Sequence, residues 1–257
     1  MVKAMEVSIS VVIWLMFFIF FVAMLYSSVG HGGASGYLAV LSLLGGVGQK
    51  EMATTALILN LLVAGIAFVF YVRAGYYSWG LSWPFIVGSV PAAFIGGMMK
   101  VDSHTYSLLL ALVLALAAVK LLLNIPVVKT ESNNLITGPK LSYAIPMGVG
   151  IGFLSGIVGV GGGIFLSPLI VFFKWADLKT TSTTSAFFIL VNSISGLFGR
   201  YFQQGLIVGN LAPLLIAALC GGVIGSYIGS KKFSNLMLSR MLAVVLLIAA
   251  LKLIIKH

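Results

Sequence analysis

Acidic side chains are almost absent from this sequence: there are five Asp and Glu among 257 residues, against fifteen Lys and Arg. All five, Glu6, Glu51, Asp102, Glu131 and Asp177, fall in or beside expected loops, so no carboxylate is placed within an apolar run. Carriers that bind cations or relay protons through a bilayer usually keep a carboxylate there. The single cysteine, Cys220, excludes a disulfide or a cysteine metal site within one chain. No HExxH motif, phosphate loop or cluster of acids is present, so no metal and no cofactor is indicated. Charged residues make up only 8% of the chain and hydrophobic ones 60%, too apolar a balance for a soluble surface. The expectation is a multi-pass protein of the cell membrane, one transmembrane domain over residues 1–257, with the lipid bilayer as a partner. The formal charge of +10 suggests no nucleic acid, because Lys and Arg sit mostly at the ends of apolar runs, where they face headgroups.

Apolar runs recur near 8–28, 35–47, 51–72, 79–99 and 104–124. After the polar linker 125–140 they recur near 142–158, 163–174, 179–200, 206–229 and 235–255. The first is too long for the apolar part of a signal peptide and reads as a retained helix. The two sets have the same order and similar lengths. "SSVGHGGASGYLAVL" lies over "GIVGVGGGIFLSPLI", Thr54 and Thr55 correspond to Thr183 and Thr184, and "FIGG" at Phe94 corresponds to "YIGS" at Tyr227. The chain is thus expected to be all-α, with repeat 1 over 8–124 and repeat 2 over 141–257. Five elements per half make the second half enter the membrane upside down relative to the first. Inverted repeats suit alternating access to one midplane site. The second element of each half is short for a full crossing of about 20 residues, so either eight or ten crossings fit. Nine basic residues on the linker side against six on the other favour a cytoplasmic linker with both termini outside.

Each short element follows a glycine-rich break. Gly30, Gly32 and Gly33 match Gly159, Gly161 and Gly162, with His31 inside the first motif and Gly163 closing the second. A broken membrane helix frees backbone N–H and C=O groups, which is tolerated only against protein or a wet cavity. Two half-helix N-termini facing a shared centre would attract an anion. Glycines that serve helix packing alone are the alternative, favoured for an isolated pair but not for a motif duplicated across the repeat.

At these residues the chain resembles the TauE/SafE family of membrane permeases, the sulfite exporter family, over essentially its whole length. The resemblance implies transport of sulfite, sulfoacetate or another small sulfur-containing or organic anion. It leaves open a homo-oligomer.

Of the serines that flank the breaks, Ser27, Ser28, Ser35, Ser155 and Ser167, one or two are expected to be ligands and the rest to bond their own helices. Asn60 and Asn192 lie inside apolar runs at near-equivalent places, where an unpaired amide is costly, so a shared interior role is expected. Arg200 follows an apolar run and faces either headgroups or a vestibule. His31, whose counterpart is Val160, is the one side chain of the expected core that titrates near neutral pH. An enzyme alternative rests on "GASG" at Gly33–Gly36, which has the GxSG form of an intramembrane serine protease with Ser35 as nucleophile. That chemistry needs a histidine base from another helix, and His31 is only four residues away.

Overall fold

The computed structural model describes residues 9–44, 49–123, 139–205, 211–231 and 251. Among these the chain forms nine α-helices and no strand. They are α1 (Ile9–Ser27), α2 (Ala34–Leu44), α3 (Gln49–Arg73), α4 (Trp79–Met98), α5 (Ser103–Leu123), α6 (Leu141–Val158), α7 (Gly163–Phe172), α8 (Leu178–Gln204) and α9 (Ala212–Lys231). The expected element at 206–229 is observed from Ala212 onward, and its start lies outside the described residues, as does most of the expected element at 235–255. Six helices, α1, α3, α4, α6, α8 and α9, are long and apolar enough to cross a membrane. With 11 and 10 residues, α2 and α7 are about 15–17 Å long at 1.5 Å per residue, roughly half of a bilayer core.

The polarity of the bundle is that of a protein dissolved in lipid. On α1, Ile13, Trp14 and Phe17 are half or more exposed. Asn60, Thr183, Thr184, Ser185, Asn192 and Ser193 are fully buried. Apolar side chains outward satisfy the hydrocarbon, while polar ones inward find partners within the protein. The acids among the described residues, Glu51, Asp102 and Asp177, stay at helix ends. Asp102 opens α5, its carboxylate accepting from the backbone N–H of His104 at 3.1 Å and Thr105 at 3.0 Å. Bonds from the Thr105 side chain and backbone hold that carboxyl below its usual range. Asp177 caps α8 in the same way, accepting from the N–H groups of Thr180 and Lys179.

Helix α4 packs most extensively with α6, and α1 packs with α9 as extensively as α4 does with α8. The α4–α6 and α1–α9 seams are built on glycine. A Cβ at Gly96 of α4 would overlap the Phe153 carbonyl of α6, and one at Gly225 of α9 would overlap the Met24 carbonyl of α1. These two contacts are related by a shift of 129 residues, from 96 to 225 and from 24 to 153. The packing explanation therefore holds for glycines inside helices. The counterpart of "FIGG" becomes "VIGS" at Val223–Ser226, four residues ahead of the expected "YIGS". Four residues are about one helical turn, which keeps Gly225 and Gly229 on the same face against α1 and explains why either alignment suits the sequence.

Candidate functional site

The breaks exist because α1 and α6 stop where glycine takes up left-handed backbone. Gly30 has φ +73° and Gly159 has φ +86°, a region that costs other residues about 1–2 kcal/mol. Each stop leaves carbonyls without helical partners. At the end of α1 the Tyr71 hydroxyl donates to the Ser28 carbonyl at 2.8 Å. At the end of α6 one guanidinium nitrogen of Arg200 donates to the carbonyls of Gly156 at 2.9 Å and Ile157 at 2.5 Å. The Tyr106 hydroxyl donates to Val158 at 3.2 Å. Tyr71 and Arg200 are again 129 positions apart, as are Ser28 and Ile157. Arg200 is 6% exposed and faces neither headgroups nor a vestibule. Its charge sits at the negative end of the α6 dipole, and the loop tally of basic residues becomes nine to five.

Asn60 connects the two breaks. From the middle of α3 its amide oxygen accepts from the N–H of Ala34, the first residue of α2, at 3.3 Å. Its amide nitrogen donates to the Val160 carbonyl in the second break at 3.3 Å and to the Ser193 hydroxyl of α8 at 3.2 Å. The glycines give it room. A Cβ on Gly32 would overlap the Asn60 amide oxygen, and one on Gly161 its amide nitrogen. Gly163 lies against Ile189 in the same manner.

His31 makes a second link. Its Nδ1 is 2.9 Å from the Val29 carbonyl and its Nε2 is 2.9 Å from the Ser167 hydroxyl on α7. A carbonyl only accepts, so Nδ1 carries the proton. Ser167 can donate to a neutral ring or accept from a charged one, so the contact survives either protonation state. The Ser35 hydroxyl pairs with the Tyr26 phenol at 2.7 Å. Ser35, the nucleophile of the protease alternative, thus meets the Tyr26 phenol, and His31 meets Ser167 in its place. Ser27 and Ser28 bond carbonyls of their own helix, Met24 and Leu25.

The structure thus brings together His31, Gly32, Gly33, Ser35 and Asn60, with Gly161 against Asn60, whereas Gly30 lies against Ser182, Gly159 against Ala53 and Gly162 against Ile151 and Phe188. Asn192 stands apart, donating to the Ser89 hydroxyl of α4 at 3.0 Å and to the Phe188 carbonyl of its own helix at 2.8 Å. Both amides are fully buried, but under the 129-residue shift the place of Asn60 falls on Ile189, three residues before Asn192. Three residues turn a helix face by about 60° short of a full turn. Between the breaks lies a cavity of about 10 Å³, lined by residues of both halves including His31, Asn60, Val160 and Ile189. That is space for about one water.

A multi-pass helical membrane protein with two interrupted helices meeting at a buried polar centre is the architecture of a membrane permease. The chain matches the family described as Sulfite exporter TauE/SafE over residues 7–253 and belongs to it. It is 36% identical over 238 residues to "Probable membrane transporter protein y4hK" of Sinorhizobium fredii (strain NBRC 101917 / NGR234), covering 91% of this chain and 95% of the relative. "Probable membrane transporter protein YunE" of Bacillus subtilis (strain 168) is 26% identical over 218 residues, 78% of this chain and 79% of the relative. No solved structure matches.

Proposed function

We propose that this protein carries small anions, sulfite or organosulfonates such as sulfoacetate, by alternating access between two inverted repeats, with the two helix breaks as the substrate site. The observation that carries this reading is the Asn60 amide, which touches the backbone of both breaks. Motion at either break is felt at the other through that one side chain. Helix pairs that exchange under the 129-residue shift, α1–α9 with α4–α6, supply two near-equal halves that can trade conformations. The relatives' names speak of membrane transport, and the family description supplies sulfite.

Anion preference follows from the charges. Among the described residues the spans carry no buried carboxylate, and the buried cation is Arg200. The first turn of α7 has no side-chain acceptor on its N–H groups, which leaves donors and the positive dipole end for an oxyanion. A cavity of about 10 Å³ is too small for such an ion, so on this reading the walls of the site move apart to load it. Purified protein in liposomes is expected to release sulfite or a sulfonate down its gradient and to leave amines behind. Preference for a cation would contradict the reading.

His31 supplies a test of coupling. If its protonated form draws the anion, transport rises as pH falls from roughly 7.5 to 5.5, the range around an imidazole's ordinary pKa. His31→Gln, which keeps hydrogen bonding and removes titration, flattens that profile. An unchanged profile at full activity makes His31 a structural tie between the break and Ser167.

A further inference from the structure

Eight of the described helices sort into two groups that exchange under the 129-residue shift, α1, α2, α3 and α9 in one and α6, α7, α8 and α4 in the other. The main contact between the groups is α3 against α8, and α5 touches both. Asn60 of α3 and Ser193 of α8 meet at the second break across that contact, so a route to the site opens between the groups. At the end where α8 begins and α9 finishes, side chains fasten the groups together. Lys179, in the first turn of α8, donates from its ammonium to the Ser230 carbonyl at the end of α9 and stands 5.2 Å over the ring of Tyr76, just beyond α3. The cation thus meets the negative end of a helix and the face of a π-system. About one turn inward on α8, Ser182 lies against Gly30 of the first break, so the lysine crosses between the groups outside that contact. Phe187 of α8 is a second fastening, stacked on Phe68 of α3 at 5.0 Å with the Tyr77 ring edge-on at 5.6 Å.

The opposite end is built differently. The 129-residue shift puts Ile58 and Leu197 where Phe187 and Phe68 stand, and Gly205 where Tyr76 stands, and a Cβ at Gly205 would meet open space. Resting on the alternating-access reading above, we propose that Lys179 and Phe187 form a one-sided latch, which holds the mouth at the α8 N-terminus shut and leaves the opposite mouth the easier one to open. Opening at the latched end breaks a charge-assisted hydrogen bond, a cation–π contact and a ring stack. Opening at the other end parts the aliphatic Ile58 and Leu197, which have none of these interactions to lose. A fold with two near-equal halves thereby acquires a preferred resting direction.

The test is the rate at which a charged methanethiosulfonate reagent labels a cysteine placed behind the latch, in detergent-purified protein whose own exposed thiol is removed by Cys220→Ser. Ser182→Cys is the reporter. Ser155→Cys, 1% exposed on α6, is the control for general loosening. Lys179→Met is expected to speed labelling at the reporter by about tenfold or more, the effect of losing one hydrogen bond to a charged group from the closed state, and to leave the control slow. Phe187→Ala, which should act in the same direction, is measured beside it in case the lysine variant does not fold. A reporter rate unchanged in whichever variant folds overturns the latch, and so does an equal rise at reporter and control. Anion release from wild-type liposomes decides the transport reading separately. Release with unchanged labelling overturns the latch alone, whereas the expected labelling without release overturns the transport reading and leaves the latch.

Discussion

Gly32→Ala is expected to lower transport by at least about tenfold, the equivalent of ~1.4 kcal/mol, in a protein that still folds. The added methyl would overlap the amide oxygen of Asn60 and lie 2.6 Å from its amide carbon. Asn60 is fully buried and cannot swing into open space without giving up Ala34, Val160 and Ser193. Overpacking of this kind typically costs about 1–3 kcal/mol, which a bundle with glycine seams elsewhere survives. The damage falls on the joint between the breaks. Gly161→Ala meets the other end of the same amide and adds the strain of φ +74°, so its effect is larger. Asn60→Ala removes the two side-chain atoms that the methyl overlaps and leaves the backbone carbonyl oxygen at 3.0 Å. The Gly32→Ala/Asn60→Ala double variant should therefore be more stable than the sum of its singles, with transport still lost. Normal flux in both glycine variants would leave helix packing as the only use of these residues.

Arg200→Met is expected to destabilise the protein by about 2–6 kcal/mol, because two buried carbonyls, Gly156 and Ile157, lose their donors at roughly 1–3 kcal/mol each. The cation also leaves the negative end of α6. Tyr71→Phe, at the corresponding end of α1, removes one donor from one carbonyl and should cost about half as much. Thermal unfolding in detergent measures both. An Arg200→Met protein as stable as the wild type would show that these carbonyls are satisfied without it.

Much of this fold was legible because a membrane protein writes its helices as apolar runs. The two short elements, their glycine breaks and the 129-residue correspondence at the motifs could all be read before any coordinate. What could not be read was the partner of each polar residue. Asn60 and Asn192 look alike in sequence, each an amide in an apolar run, yet a three-residue offset sends one to both breaks and the other to Ser89. Arg200 looks like an interfacial cation because an arginine that snorkels and one that caps a neighbouring helix both follow an apolar run. Ile189 carries no signal of its own, and only strict use of the 129-residue shift singles it out as the counterpart of Asn60. The tyrosines that complete the site, Tyr26 and Tyr71, reach it from helices whose approach is a tertiary fact.

The most direct test of a single anion site made by both breaks is ligand-dependent thermal stability of the wild type and of Asn60→Ala, once both are shown to be folded. A ligand that binds only the folded state raises the unfolding temperature with its concentration. Sulfite or ethanesulfonate should raise that of the wild type progressively, amines should not, and the Asn60→Ala protein should respond to neither anion. An equal rise in both proteins, or a response to amines alone, would contradict a site built on the amide that joins the two breaks.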